Sequence, residues 1–179
     1  MEITLIRHLP TEWNKEQKLQ GKRDIPLLPI SEKERKEIHK NLEVLNSQSY
    51  DYVLSSNLIR TKQTADLYGF TPTPEPLLNE LDFGPFEGKS KDELLQKHGI
   101  QWIENPVDLF LGESILDLEK RIHLFLDKYK NASSILAFGH GSWIRACKSY
   151  YKYGHVNHMN KMMVRNNECI TLEFLSVEV

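Results

Sequence analysis

The sequence predicts a three-layer α/β/α protein built around a mostly parallel sheet. Short apolar runs, such as residues 3–6 and 134–138, have the length and composition of buried strands. Segments with helical periodicity separate these runs, and this alternation is typical of a sheet that packs against helices. In such sheets ligands bind beyond the carboxyl ends of the strands, so the residues that follow each run are candidates for function.

The individual elements are predicted from capping patterns and apolar periodicity. Helices are predicted at residues 31–45, 57–69 and 90–99, from Glu113 onward and from Trp143 onward. Strands are predicted at residues 3–6, 52–54, 134–138 and 170–175, and the last alternates apolar and polar residues like an edge strand. Two segments lack a clear period. We expect a loop that crosses the site at residues 15–30, and a loop or irregular lid over the pocket at residues 99–112.

Composition limits the class of protein. With 179 residues, 40% of them hydrophobic and 27% charged, the chain is most simply one globular domain, residues 1–179. A formal net charge of −2 gives no reason to expect nucleic acid or an anionic membrane as a partner. The chain shows no signal peptide or apolar span, and its two cysteines are too few for a disulfide framework. We therefore expect a cytoplasmic protein with reduced thiols.

Cations, imidazoles and a carboxylate follow the predicted strands. Arg7 and His8 end the first strand, Arg60 begins the helix after the second, and His140 follows the run at residues 134–138. Glu80 follows a short apolar segment. The sequence thus indicates a functional site at one rim of the sheet, with two arginines, two histidines and at least one carboxylate.

Five motifs in a fixed order resemble those of the histidine phosphatase superfamily, the phosphoglycerate-mutase-like proteins. They are Arg7-His8-Leu9-Pro10-Thr11-Glu12-Trp13-Asn14, Gln20-Gly21-Lys22-Arg23-Asp24-Ile25-Pro26-Leu27, the segment Ser55 to Ala65, the segment Leu78 to Gly88, and His140-Gly141. Each motif is weak singly, but five in register are specific. The resemblance implies the same α/β fold and phosphoryl transfer to a small-molecule ester with no metal and no cofactor.

The resemblance also implies a role for individual residues. His8 would be the nucleophile that forms a phosphohistidine, with His140 as a second donor to the transferring phosphoryl group. The acid that protonates the leaving group would be Glu80, with Asp82 as the alternative. Additional phosphate or substrate contacts are expected at Asn14, Gln20, Gly21 and Gly141. A purely structural role remains open for the side chains of Asn14 and Gln20.

Leu9 and Pro10 depart from the family pattern, which has glycine and an acidic residue at these two positions. Glycine permits close backbone packing, so we expect Leu9 to reshape the phosphate pocket or its mouth and to change specificity. The same departure motivates an alternative function, a catalytically silent module that binds a phospho-ligand or a protein.

The short chain favours a phosphatase over a mutase, because mutases of this family carry insertions and a tail that shield the phosphohistidine from water. The segments Glu80 to Gly84 and Gly112-Glu113-Ser114 resemble the small phosphatase branch that includes α-ribazole phosphatase. α-Ribazole 5'-phosphate is therefore one candidate substrate, with Trp102 and Phe110 as candidate specificity residues of the lid. The oligomeric state cannot be predicted.

Overall fold

Five strands form one mixed sheet in the computed structural model, which describes residues 1–175. They are β1 (Glu2–Arg7), β2 (Tyr52–Ser55), β3 (Thr73–Pro74), β4 (Ser134–Gly139) and β5 (Cys169–Glu173). Their spatial order is β3-β2-β4-β1-β5, with β5 antiparallel to β1 and the remaining neighbours parallel. The predicted mostly parallel sheet and its final edge strand are confirmed.

Helices occupy most of the remaining regular structure. They are α1 (Glu12–Lys15), α2 (Glu32–Leu45), α3 (Ile59–Leu67), α4 (Lys91–His98), α5 (Ile100–Glu104), α6 (Ile115–Lys128) and α7 (Gly141–Tyr153). The predicted capping boxes form at Ser31 with Glu34 and at Ser90 with Glu93. Throughout residues 1–175, each helix is too short or too polar to cross a membrane.

The sheet separates two layers of core, which explains the three-layer architecture. Along β1, Ile3 and Leu5 face a layer that contains the apolar side chains of α6 and α7. Ile6 lies in the other layer, which contains buried side chains of α2 and α3. This division follows from the two-residue repeat of a strand, whose successive side chains point to opposite faces.

Residues 99–112 are more regular than the predicted loop. They contain α5 and a 3-10 turn at Pro106–Asp108, and both Trp102 and Leu109 are buried in the core. A five-residue helix is too short to show an apolar period, so packing rather than local pattern determines its structure.

The parallel strands end side by side, and this places their next residues in one row. Arg7 at the end of β1 pairs with Gly139 of β4, and Ser55 at the end of β2 pairs with Phe138 of β4. The residues that follow, His8, Ser56 and His140, therefore lie at the same edge of the sheet.

Candidate active site

A cavity of about 320 Å³ opens at this edge of the sheet. The predicted loop at residues 15–30 contributes one wall through residues 17–21. Every site residue predicted from the sequence lines the cavity except His140; these are Arg7, His8, Asn14, Gln20, Gly21, Arg60, Glu80 and Gly141. Residues that are far apart in the chain are thus brought around a single space.

His8 is buried, and its imidazole is in the form that a nucleophile requires. The Nδ1 atom lies 2.7 Å from the backbone oxygen of Leu9. A carbonyl oxygen can only accept a hydrogen bond, so Nδ1 carries the proton and Nε2 keeps its lone pair. Burial, together with the positive charges of Arg60 and Arg7, holds the pKa of His8 well below its usual value. His8 is therefore neutral at neutral pH, and Nε2 is the ring nitrogen with a free lone pair.

His140 lies behind His8 rather than on the cavity wall. The two ring centroids are 5.4 Å apart, and Nε2 of His140 is hydrogen-bonded to Oγ of Ser56 at 2.7 Å. Ser56 is itself hydrogen-bonded to Oγ1 of Thr61 at 2.7 Å. Within residues 1–175, Nδ1 of His140 has no hydrogen-bond partner. Burial and the charge of Arg60 lower its pKa well below the usual value, so this ring is also neutral.

Arg7 and Arg60 are fixed by backbone carbonyl groups. Arg7 donates from Nη1 to the oxygen of Val164 at 2.7 Å. Arg60 donates to the oxygens of Arg23 and Gly21 at 2.6 and 2.8 Å, so it also anchors the loop that crosses the site. In the described part of the chain, the Nε atoms of Arg7 and Arg60 have no partner. Burial, the largest influence, lowers the pKa of each guanidinium to about 10, which leaves both charged at neutral pH.

Glu80 rather than Asp82 reaches the cavity. Its carboxylate accepts hydrogen bonds from the backbone N–H groups of Leu81, Ser142 and Trp143 at 2.8, 3.0 and 3.1 Å. Two of these donors belong to the first turn of α7, which carries partial positive charge. Asp82 has other partners: its carboxylate accepts a hydrogen bond from the N–H of Gly84 and forms an ion pair with Lys22. The structure therefore places the carboxyl group of Glu80, and not that of Asp82, at the cavity wall.

A partly buried ion pair holds the segment that leads to Glu80. Arg121 on α6 donates to both carboxylate oxygens of Glu113, at 2.6 and 3.0 Å. Its Nη1 also donates to the backbone oxygens of Leu77 and Asn79, each at 2.9 Å. The Glu113 and Arg121 side chains therefore fix the backbone immediately before the proposed acid.

The side-chain oxygens of Asn14 and Gln20 have a structural role, whereas their amide nitrogens have no hydrogen-bond partner among the described residues. The side-chain oxygen of Asn14 accepts from the N–H of Thr11 at 3.1 Å, which completes a capping box on α1. The hydroxyl of Thr11 also donates to the side-chain oxygen of Gln20 at 2.8 Å. Because the oxygens are engaged in this way, the amide nitrogens are the groups that can donate into the cavity.

At two glycines of the cavity wall, an added side chain would crowd a charged neighbour. Gly21 has a φ of +54°, and a Cβ there would collide with the carboxylate of Glu87. At Gly141 a Cβ would lie 3.1 Å from Cζ of Arg7. Both positions therefore bring backbone close to charged groups of the site.

The expectation that Leu9 reshapes the pocket is wrong for its side chain. Leu9 is completely buried in the core layer that contains α2 and α3, and it is absent from the cavity wall. Its N–H donates to Oγ1 of Thr64 at 3.0 Å. The backbone after the end of β1 directs this side chain into the core, which a sequence motif does not reveal.

Several wall residues were not predicted from the sequence. They include Arg145, Lys91 and Asn166. Arg145 lies four residues after Gly141 on α7 and therefore on the same helical face, a spacing that could have identified it. Asn166 donates to the backbone oxygen of His8 at 3.0 Å, but no local pattern marks it.

A second cavity of about 300 Å³ adjoins the first, and Arg7, Lys91 and Arg145 line both. Trp102 lies on the wall of the second cavity, whereas Phe110 lines neither and is 69% exposed. The expectation that Phe110 contributes to specificity is therefore not supported. In residues 1–175, no group of three His, Cys, Asp or Glu side chains is placed to hold a metal ion.

The chain belongs to the histidine phosphatase superfamily (branch 1), whose family model matches residues 3–177. A curated relative is the probable phosphoglycerate mutase GpmB of Yersinia pestis (strain Pestoides F), which is 32% identical over 137 residues. This match covers 71% of the chain but only 62% of the relative's length.

Solved structures show the same fold over nearly the whole chain. A mutant of phosphoserine phosphatase from Entamoeba histolytica, in complex with phosphoserine, has a TM-score of 0.77 and 27% identity. The alignment covers 98% of this chain and 91% of that one. The α-ribazole phosphatase of Shigella flexneri has a TM-score of 0.77, with coverage of 98% and 92%. Its identity of 21% supports a shared fold alone.

Proposed function

We propose that this protein is a metal-independent phosphomonoesterase that hydrolyses a small phosphate ester through a phosphohistidine on His8. The observation that carries the proposal is the state of His8: a neutral imidazole, protonated on Nδ1, in a cavity that also holds Arg7 and Arg60. A neutral imidazole is a competent nucleophile, and the fixed guanidinium groups counter the charge of a phosphoryl group.

In the first chemical step, the lone pair on Nε2 of His8 attacks phosphorus and the bond from phosphorus to the ester oxygen breaks. The leaving oxygen takes a proton from Glu80, which must enter this step as the carboxylic acid. Arg7, Arg60 and the N–H of Gly141 bind the phosphoryl oxygens as charge redistributes over them. His140 does not line the cavity, but its ring packs beside that of His8, and its unpartnered Nδ1 is assigned as a further donor to the phosphoryl group.

In the second step, water attacks the phosphohistidine and gives a proton to the carboxylate of Glu80. The bond from phosphorus to Nε2 breaks, inorganic phosphate leaves, and the neutral imidazole of His8 is restored. Glu80 ends the cycle as it began, as the acid, so protons and electrons balance over both steps.

The relatives suggest two kinds of substrate. α-Ribazole 5'-phosphate carries a large aromatic leaving group, whereas phosphoserine is small and carries a carboxylate. A second candidate function is a phosphoglycerate-type mutase, favoured by the 32% identity to the probable mutase GpmB. The silent-module alternative loses part of its motivation, because the side chain of Leu9 lies in the core.

The test is turnover of p-nitrophenyl phosphate in excess EDTA by the wild type, His8→Ala, and the exposed-surface control His39→Ala. We expect the wild type and the control to release phosphate and His8→Ala to lose at least 1,000-fold in kcat, a magnitude on the order of that for removing a catalytic nucleophile. A phosphoenzyme that is labile in acid and stable in base should form only when His8 is present. Activity that needs a metal, or that survives His8→Ala, would contradict the proposal. Transfer to a phosphoglycerate without release would favour the mutase.

A further inference from the structure

Ser56 and Thr61 place two buried hydroxyl groups in a chain that ends at His140. Oγ of Ser56 lies 2.7 Å from Nε2 of His140 and 2.7 Å from Oγ1 of Thr61. It also accepts a hydrogen bond from the backbone N–H of Leu58 at 3.2 Å. These are hydrogen-bond distances, so one proton lies in each of the three contacts.

The proton of Thr61 is directed at a backbone carbonyl group. Oγ1 of Thr61 donates to the oxygen of Leu58 at 2.9 Å, and a carbonyl oxygen can only accept. Because a hydroxyl group has one proton, Thr61 has none left for Ser56. The proton in the contact between the two hydroxyl groups therefore belongs to Ser56.

The same count locates the proton of His140. Ser56 gives its only proton to Thr61, so its two lone pairs accept from the N–H of Leu58 and from Nε2 of His140. If Ser56 donated to Nε2 instead, one oxygen–oxygen contact of Thr61, with Ser56 or with Leu58, would contain no proton. Neutral His140 therefore carries its proton on Nε2 and a lone pair on Nδ1.

The position of this proton matters because Nδ1 of His140 is the atom assigned as a donor to the phosphoryl group. In this tautomer Nδ1 has nothing to donate, and its lone pair would repel an oxygen of a dianionic phosphoryl group. The surroundings of the ring oppose a second proton in the ligand-free protein. Burial, the charge of Arg60 on α3, the ring of His8, and the charges of Arg7 and Arg121 all lower the pKa of His140. The additional proton must therefore arrive with the ligand.

We propose that Ser56 and Thr61 are positioning residues that keep the Nε2 proton of His140 in place, so that the site binds a phosphoryl group as its monoanion. The proton on a phosphoryl oxygen passes to Nδ1: the O–H bond breaks as the N–H bond forms. A dianionic phosphoryl group and an imidazolium that donates to it result. Inorganic phosphate takes this proton back when it leaves, so the balance of the two chemical steps is unchanged. The identity of the ligand rests on the proposed function, whereas the position of the Nε2 proton does not.

A pair of variants at Thr61 tests the hydroxyl chain. Thr61→Val removes the hydroxyl group and keeps the shape of the side chain, whereas Thr61→Ser keeps the hydroxyl group. In Thr61→Val the proton of Ser56 loses its acceptor and turns towards Nε2, so His140 should change to the tautomer that is protonated on Nδ1. A substitution one hydroxyl group away from the ring would thus move the proton of the ring.

Nuclear magnetic resonance of the ligand-free protein, with 15N-labelled histidine, identifies the protonated nitrogen of each ring. The signals of His140 are assigned by their absence in His140→Gln. We expect a proton on Nε2 in the wild type and in Thr61→Ser, and on Nδ1 in Thr61→Val. A wild-type ring protonated on Nδ1 would overturn the proposal, and this result requires neither a folded variant nor turnover. So would a proton that stays on Nε2 in Thr61→Val.

Binding of inorganic phosphate tests the coupling to the ligand. Its dissociation constant is measured by calorimetry between roughly pH 7.5 and pH 8.5, where free phosphate is mainly the dianion. The wild type and Thr61→Ser should bind phosphate about tenfold more weakly for each unit of pH, because one proton must be taken up. Thr61→Val should lose most of this dependence, since its Nδ1 can donate directly to the dianion.

The difference in pH dependence between the proteins is the readout, because the cations of the cavity are the same in all of them. Equal pH dependence in the wild type and Thr61→Val would overturn the coupling. Failure of the proposed function remains distinguishable. If the wild type hydrolyses no ester, the phosphatase proposal fails, whereas the spectra of the ligand-free protein still decide whether Ser56 and Thr61 position the proton of His140.

Discussion

The neutral imidazoles of His8 and His140 make the stability of the fold depend on pH. Each has a folded-state pKa well below its usual value, whereas the same side chains in the unfolded chain titrate near ~6.5. As the pH falls below that value, the unfolded chain binds protons that the folded chain does not. The free energy of unfolding must therefore decrease, by up to ~1.4 kcal/mol per pH unit for each histidine.

For the pair, we predict that the free energy of unfolding falls by about 2 kcal/mol between roughly pH 6.5 and pH 5.5. Urea denaturation monitored by circular dichroism at several pH values measures this decrease in the free energy of unfolding. His8→Gln should lose about half of the decrease, whereas the exposed-residue control His39→Gln should keep all of it. An unchanged pH dependence in His8→Gln would show that this imidazole is not held neutral.

Motif reasoning predicted the residues that follow a strand directly, since parallel register places them together. It could not predict where the side chain of Leu9 points, because that depends on the path of the backbone after β1 and on its packing against α2 and α3. It also missed Lys91 and Asn166, which reach the cavity only through tertiary packing. Arg145 was predictable in principle from its helical spacing to Gly141.

Among the elements, the first turn of α7 has the closest relation to the cavity. Its backbone N–H groups hold Glu80, and its first residue, Gly141, lies against the guanidinium of Arg7. A methyl group at that position would lie 3.1 Å from Cζ of Arg7, so the guanidinium must shift by a few tenths of an ångström. Arg7 would then lose its alignment with the phosphoryl oxygens although the helix itself remains intact.

We therefore predict that Gly141→Ala lowers kcat/KM at least tenfold and leaves the melting temperature unchanged or higher, because alanine favours a helix by up to about 1 kcal/mol over glycine. Kinetics and thermal denaturation measure the two effects separately.

Gly154→Ala is the matched control at the other end of α7. Gly154 has a φ of +76° and open space around its Cβ position, so this change should reduce stability by about 1 kcal/mol and leave kcat/KM unaltered. Full activity in Gly141→Ala would contradict the close approach to Arg7.

For helices and strands, the success of the sequence prediction depended on the length of the element. Helices of eight or more residues were predicted because their capping boxes and apolar stripes are local signals. The five-residue α5 and the two-residue β3 were missed, since each depends on neighbours that are distant in the sequence. The bounds of the predicted elements shifted by only a few residues.

For the molecule as a whole, positive charge is concentrated at one cavity in a chain whose formal net charge is −2. The charged residues of its wall are the cations Arg7, Lys18, Arg60, Lys91 and Arg145 and the carboxylates Glu80 and Asp92. A bound oxyanion should reduce the mutual repulsion of these cations. It should also stabilise the folded state, because the unfolded chain has no such site.

We predict that phosphate or vanadate, at a concentration of about 100 times its dissociation constant, stabilises the protein by about 2.7 kcal/mol. For a chain of this size that corresponds to a rise in melting temperature of roughly 5–10 °C. Scanning calorimetry measures the rise, with sodium chloride at equal ionic strength as the control. An equal rise in chloride would show that general screening, rather than a site, is responsible.

The position of β1 between β4 and β5 also determines when the sheet can be completed as the chain folds. β1 contains the first residues of the chain, yet it pairs with strands that begin at Ser134 and Cys169. Arg7 receives its carbonyl partner from Val164, and its own N–H donates to Glu168. During synthesis the first strand therefore lacks both of its neighbours until β4 and β5 have left the ribosome. The edge of the sheet that carries Arg7 and His8 is completed only after that point.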